Sequence, residues 1–174
     1  FLDIAHFPFV HEGTLGEMPY TAVKPYHVEI ENNGLYVRGA AFHQPMAAFS
    51  HEGHMTISYV YRVCSPFSAL LYKTCPLQPA KKDLVCIFVQ PCDEDRSIVH
   101  MPMACLDDSA STQALRRFQQ GIIGQDLAIL NNQVPRKLPL FPDFEISTAA
   151  DAASLAYRQW LSEQGVVYGT FQKS

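Results

Sequence analysis

Three side chains near the start of the chain have types and spacing that could handle a metal ion. The segment Asp3-Ile4-Ala5-His6-Phe7-Pro8-Phe9-Val10-His11 sets two histidines apart by five positions, with a carboxylate three before the first. On a regular helix, residues five apart point about 140° away from each other, so His6 and His11 would not share a face. Pro8 lies between them and breaks the hydrogen-bond ladder, which can swing His11 back towards His6. Asp3 and His6, three apart, can share a face. Neutral imidazoles bind transition ions, and a nearby carboxylate can fix the tautomer of one of them. Residue types alone favour a plainer reading, two satisfied core histidines beside a surface aspartate.

The other chemistry-bearing residues are less organised. His43, His51 and His54 fall near one loop with no fixed carboxylate at hand, and read as solvated or pocket-rim residues. His27 and His100 lie in strand-like runs. Trp160 and Tyr157 read as packing residues of the last helix, and Arg158 has an acid or a neighbouring subunit as its expected partner. The five cysteines (Cys64, Cys75, Cys86, Cys92, Cys105) form no C-x-x-C pair and are odd in number. They read as buried thiols in a reducing cytoplasm, not as a disulfide scaffold.

Composition narrows the classes further. Of 174 residues, 48% are hydrophobic and 17% charged, enough for a core and too little charge for a disordered chain. Thirteen basic against seventeen acidic residues give a net charge of -4, unlike a phosphate-tracking nucleic-acid binder. No apolar run approaches the roughly 18 residues that span a bilayer. The expected setting is the cytoplasm, with neither nucleic acid nor membrane as partner.

The elements that must position the histidines fall in two blocks. Tyr26–Glu31 and Leu35–Phe42 flank Asn32-Asn33-Gly34, a hairpin signal. Met55–Cys64 alternates, with Ile57, Tyr59 and Tyr61 on one face. Phe67–Thr74, Asp83–Gln90 and Ser97–Met103 continue the strand-like series, joined by Pro-bearing turns. The period then changes. Ser111–Gln133 repeats Leu115, Phe118, Ile122, Ile129 and Leu130 at helical steps, weakened locally by Gly121 and Gly124 and stopped by Pro135. Val134–Ile146 is proline-rich and extended. Ala149–Gln164 is a second helix, with Thr148 as N-cap and Gly165 as stop. Strands followed by helices predict an α+β fold, a curved antiparallel sheet with helices on one face. Asp126 is the only acid between Ser109 and Pro142, a polar island among Ile122, Ile123, Ile129 and Leu130.

These residues together resemble a known family. Asp3-x-x-His6-x-x-x-x-His11, followed by Glu12-Gly13-x-Leu15-Gly16, is similar to the iron-ligand motif of Rieske non-heme iron oxygenases, and Gly124-Gln125-Asp126-Leu127 resembles the downstream helix that carries the third ligand. The C-terminal run Ala150-Asp151-x-x-Ser154-x-Ala156-Tyr157-Arg158-x-Trp160-Leu161, then Gly165-x-x-Tyr168-Gly169, resembles one branch. That branch includes pheophorbide-type oxygenases, caffeine-type N-demethylases and hydroxylases of saxitoxin-like alkaloids.

The resemblance implies a helix-grip, Bet v 1-like catalytic domain over residues 1–174, a curved sheet around a long C-terminal helix, with a short N-terminal iron-ligand helix. It implies His6, His11 and Asp126 as ligands of a mononuclear Fe(II), a facial triad leaving positions open for O2. Asp3 would bridge electron transfer between metal centres. Phe118, Ile122, Ile123, Ile129 and Leu130, on the helix of Asp126, would line the substrate pocket. The activity implied is O2-dependent hydroxylation or oxidative O- or N-demethylation of an aromatic or polycyclic small molecule. Electrons would come from NAD(P)H through a reductase or ferredoxin and a [2Fe-2S] Rieske cluster, in a homotrimer. No cysteine here has a histidine two or three residues later, so the cluster would sit in a domain upstream of this chain. A ring cis-dihydroxylating dioxygenase of the same superfamily is the nearest alternative. A zinc-dependent hydrolase using Glu12 as base, and a non-catalytic module for hydrophobic ligands, are the others.

Overall fold

A computed structural model describes residues 1–47, 53–106, 109–141 and 144–171. The chain opens with a single helical turn, α1 (Phe7–Val10), and then builds an antiparallel meander. Its strands are β1 (His27–Glu31), β2 (Gly34–Gln44), β3 (Met55–Ser65), β4 (Ser68–Thr74), β5 (Lys82–Asp93) and β6 (Arg96–His100), hydrogen-bonded in that order. A short β7 (Met103–Ala104) also pairs with β5. The long helix α2 (Thr112–Leu130) follows. Then come β8 (Leu138–Pro139), the helix α3 (Ala152–Glu163) entered through a 3-10 turn, and β9 (Thr170–Phe171), which pairs parallel with β8.

The predicted α+β class is the observed one. The β1–β2 turn uses Asn32 and Asn33, both with positive φ (47° and 60°), as its central residues. Such a turn matches the twist of the flanking strands. Gly34 therefore begins β2, where a Cβ would crowd the Val63 carbonyl across the sheet. On β3 the alternation holds as expected: Ile57, Tyr59, Tyr61 and Val63 are buried and face the core. On β2 the register slips between Val37 and Ala40. That bulge keeps Leu35 and Val37 on the same face as Ala40 and Gln44, and bends the strand.

The two helices divide the role that the sequence suggests for one. α3 packs against β1 and β2. It buries Ala153, Trp160 and Leu161, with Tyr157 stacked on Trp160. Its start is held by a capping box between Thr148 and Asp151, and Gly165 ends it at φ 69°. α2 is capped by Ser111, whose hydroxyl accepts from Ala114 N. It ends at Leu130, five residues before Pro135, and only Ile122 on it is buried. So α2 lies over the sheet as a cover, with space beneath it.

Two expectations, on Pro8 and on the cysteines, need correction. Pro8 does not break a helix. It occupies the first turn of α1, where its missing N–H is not required. The cysteines are not uniformly buried: Cys75 and Cys86 are, while Cys64 and Cys92 are exposed. Arg158 pairs with Glu145 of its own chain. His27 and His100 are surface residues. His51 lies outside the described residues. No helix among the described residues is long and apolar enough to cross a membrane.

Candidate functional site

α1 is short, but its backbone brings its two flanking histidines together. His6 is the N-cap and His11 the C-cap; the His6 carbonyl accepts from Val10 N (2.8 Å) and the Phe7 carbonyl from His11 N (3.1 Å). At His11 the chain leaves helical geometry (φ -110°, ψ 30°), which turns the second imidazole towards the first. The turn that follows is tied back by Gly16 N to the His11 carbonyl (3.1 Å) and by Gly13 N to the Gly16 carbonyl (2.9 Å). Only glycine fits at position 16, since a Cβ there would overlap the Phe7 carbonyl and the Pro8 nitrogen. The Gly16 of the sequence motif thus has a mechanical reason: it lets this turn lie flat on α1.

Asp126 comes from the C-terminal half of the α2 helix, more than a hundred residues later. His6 Nε2 and His11 Nε2 are 3.2 Å apart. Asp126 Oδ1 lies 3.6 Å from the first and 3.1 Å from the second. His11 is almost wholly buried (1% exposed), while the His6 and Asp126 side chains are 19% and 30% exposed.

When His11 is neutral, one contact in this triangle is not a hydrogen bond. His11 Nδ1 lies 2.8 Å from Gln125 Oε1, and that oxygen can only accept. A neutral His11 therefore carries its proton on Nδ1 and turns a bare lone pair towards the Asp126 carboxylate, two acceptors in contact. A proton on Nε2, or a metal cation between the two groups, resolves the conflict. Ligand atoms bound to one ion at about 2.1 Å lie about 3.0 Å apart at right angles and about 3.4 Å apart at tetrahedral angles. The three observed separations fall around those values. Two imidazoles and one carboxylate on one side of an ion make the facial donor set that suits non-heme ferrous iron.

Asp3 sits at the edge of this group. Its Oδ1 accepts from Ala5 N (3.0 Å) and stands 3.6 Å from His6 Nδ1, just beyond hydrogen-bond reach. The nearby imidazole holds the Asp3 carboxyl below the ordinary range. The Asp3 side chain is 61% exposed, so it reaches from His6 to the surface. Sequence reasoning included Gln125 only as part of a motif. Its contact with His11 follows from its place next to Asp126, but the direction of its amide is visible only in three dimensions.

A cavity of about 610 Å³ opens beside the triad. Its floor is the concave sheet, including Tyr59, Tyr61, Val63, Leu71 and Val85, and its roof is α2. Phe118, Ile122, Ile123, Ile129 and Leu130 all line it, together with Asp3, His6, His11 and Asp126. The five α2 residues are unequal, however. Ile122 is 6% exposed, whereas Ile129 and Leu130 are 57% and 58% exposed and stand at the rim. Tyr61 also lines the cavity, and its buried hydroxyl has no hydrogen-bond partner; burial raises its pKa well above the usual range. Lys73 lends its stem to the wall while Nζ donates to the Ala47 carbonyl (2.8 Å). Glu12, the base that a hydrolase would need, is exposed and does not line the cavity.

Comparison with known proteins finds relatives along nearly the whole chain. The chain is 46% identical over 172 residues to a probable methylxanthine N7-demethylase, NdmC, of Pseudomonas sp. (strain TJI-51), covering 98% of this chain and 61% of that protein. It is 24% identical over 175 residues to the methylxanthine N1-demethylase NdmA of Pseudomonas putida, covering 94% of this chain and 44% of the other. The chain thus spans less than two thirds of the length of these relatives. Among solved structures, NdmA of Pseudomonas putida CBB5 with caffeine superposes with a TM-score of 0.76 at 20% identity, over 92% of this chain and 45% of that one. NdmB of the same strain gives 0.69 at 22% identity, over 91% and 42%. These two likenesses establish the fold. Residues 1–165 match the vanillate O-demethylase oxygenase C-terminal domain, and the chain belongs to that family of Rieske oxygenase domains.

Proposed function

We propose that this chain is the substrate-oxidising domain of a Rieske non-heme iron oxygenase, and that its reaction is oxidative removal of an N-methyl group from a flat heteroaromatic ring. The observation that carries the proposal is the convergence of His6, His11 and Asp126 on one point at the wall of an apolar cavity. Membership of the family gives the reaction class, and the names of the two demethylase relatives supply the substrate class. Demethylation of this type consumes O2, two electrons and two protons, and yields the N–H compound, formaldehyde and water.

His6, His11 and Asp126 would hold a ferrous ion. When bound, that ion supplies dioxygen activation, using electrons relayed from a [2Fe-2S] cluster outside this chain. The residues of the chain do the rest. Gln125 keeps the His11 proton on Nδ1, so that Nε2 is free as a ligand. The sheet floor and the α2 roof exclude water and take up a planar ring of low polarity. The unpartnered Tyr61 hydroxyl offers a hydrogen bond to a ring carbonyl. Asp3, exposed beside His6, would face the cluster of a neighbouring subunit in a homotrimer fed by a reductase or ferredoxin that draws on NAD(P)H.

The test uses the full-length protein with its reductase, NADH and a series of N-methylated xanthines. Release of formaldehyde in step with a demethylated product supports the reading. Substrate-independent NADH oxidation with every methylated heterocycle, and dihydroxylation of a plain aromatic ring, would point to the dioxygenase alternative.

A further inference from the structure

A second cluster of metal-binding side chains stands apart from the triad. Glu17 lies in the loop after the Gly16 turn, His43 near the end of β2, and His54 just before β3. Glu17 Oε2 is 3.0 Å from His54 Nδ1 and 3.4 Å from His43 Nε2, and the two imidazole nitrogens are 3.3 Å apart. The sequence presents these histidines without a fixed carboxylate. The fold supplies one, because the turn anchored by Gly16 carries Glu17 to the mouth of the β2–β3 hairpin.

A proton on His54 Nδ1 can be donated to Glu17 Oε2 at 3.0 Å. The same three atoms also converge closely enough to be ligands of one ion. A divalent ion accepts the lone pairs of all three at once. The separations match those of the His6–His11–Asp126 triad, and bracket the roughly 3.0–3.4 Å expected for ligands about 2.1 Å from one ion. The Tyr20 ring lies over His43, centroids 3.9 Å apart, and holds that imidazole in place. The His54 side chain is 56% exposed, so an ion can enter from solvent.

We infer that Glu17, His43 and His54 form a second cation site, selective for a borderline-soft divalent ion such as Zn²⁺, that clamps the loop after His11 to the β2–β3 hairpin. Two imidazoles and one carboxylate suit zinc over magnesium or calcium, which take oxygen ligands. Since Glu17 follows the turn hydrogen-bonded to the His11 carbonyl, the clamp stiffens the segment that presents His11 without touching the cavity.

The test counts zinc by elemental analysis on the full-length protein with its iron–sulfur cluster retained, treated with a mild chelator and then dialysed against micromolar Zn²⁺. His6→Ala/His11→Ala protein removes the first site from the count. That variant is expected to keep one zinc per chain and to melt at a higher temperature with zinc than without. Adding His43→Ala/His54→Ala, or the milder Glu17→Gln, should abolish both the bound zinc and the thermal shift. In the same background, Co²⁺ should give visible d–d bands that disappear with Glu17→Gln. The inference is overturned if the His6→Ala/His11→Ala protein binds no zinc, or if its zinc persists when Glu17, His43 and His54 are changed. Neither result bears on the oxygenase reading, which rests on the other triad.

Discussion

Gln125→Leu isolates the contribution of a side chain that would not touch the ion. His11 is 1% exposed and its Nδ1 meets the Gln125 carbonyl oxygen at 2.8 Å. Leucine keeps the volume but removes the acceptor. Two effects follow. The buried Nδ1–H loses its partner, which costs about 1–3 kcal/mol of stability. In a chain of this size that lowers Tm by roughly 2–4 °C per kcal/mol. The imidazole is also freed to carry its proton on Nε2, the atom that faces Asp126. Loss of such an orienting partner typically weakens metal binding by about 10–100-fold. Gln125→Glu supplies a stronger acceptor at the same place, so it should hold iron at least as well as the wild type. The assay is competition between the full-length protein and a chromophoric ferrous chelator under anaerobic conditions, with melting of the metal-free protein followed separately. An iron affinity for Gln125→Leu within twofold of wild type would refute the reasoning, because the His11 tautomer would then not depend on Gln125.

Asp3→Asn should leave iron content and substrate binding unchanged while slowing reoxidation of the reduced cluster severely; unchanged single-turnover reoxidation with substrate and O2 would remove its bridging role. Ile122→Phe, at the buried centre of the α2 roof, should alter product distribution or uncouple O2 consumption with full iron content. The same change at rim residue Leu130 should do less, and equal profiles for both would mean that the pocket is shaped by the strands. Gly16→Ala should cost more than the roughly 1–3 kcal/mol of ordinary overpacking, since its Cβ meets backbone that cannot rotate away. It should also loosen iron by displacing His11, and a Tm within a degree or two of wild type would contradict the close approach.

Much of the fold was legible because its signals are local. Alternation on β3 reports directly which face is buried, the apolar steps of α2 report a helix, and Asn32-Asn33 and Thr148 mark the β1–β2 turn and the start of the last helix by backbone chemistry. The bulge in β2 was not legible, since a slip between Val37 and Ala40 depends on what the neighbouring strand offers. The triad was named through resemblance, with Asp126 also marked by its isolation among apolar neighbours. Spacing alone misread Pro8, because a proline in the first turn of a helix and one in its interior look alike in the sequence. Glu17 was missed for a different reason: nothing in the residues from His11 to Pro19 says that their turn folds onto the hairpin holding His43 and His54. The separate duties of α2 and α3 also emerged only from packing, since both helices carry apolar stripes.

The central claim is that His6, His11 and Asp126 hold iron together. Anomalous scattering at the iron edge, from anaerobically grown crystals of the iron-loaded full-length protein and its Asp126→Ala variant, tests it most directly. Besides the [2Fe-2S] cluster, one strong peak is expected within about 2.0–2.3 Å of His6 Nε2, His11 Nε2 and an Asp126 carboxylate oxygen, lost or greatly reduced in Asp126→Ala. Mononuclear iron bound away from these three side chains, or an undiminished peak in the variant, would contradict it.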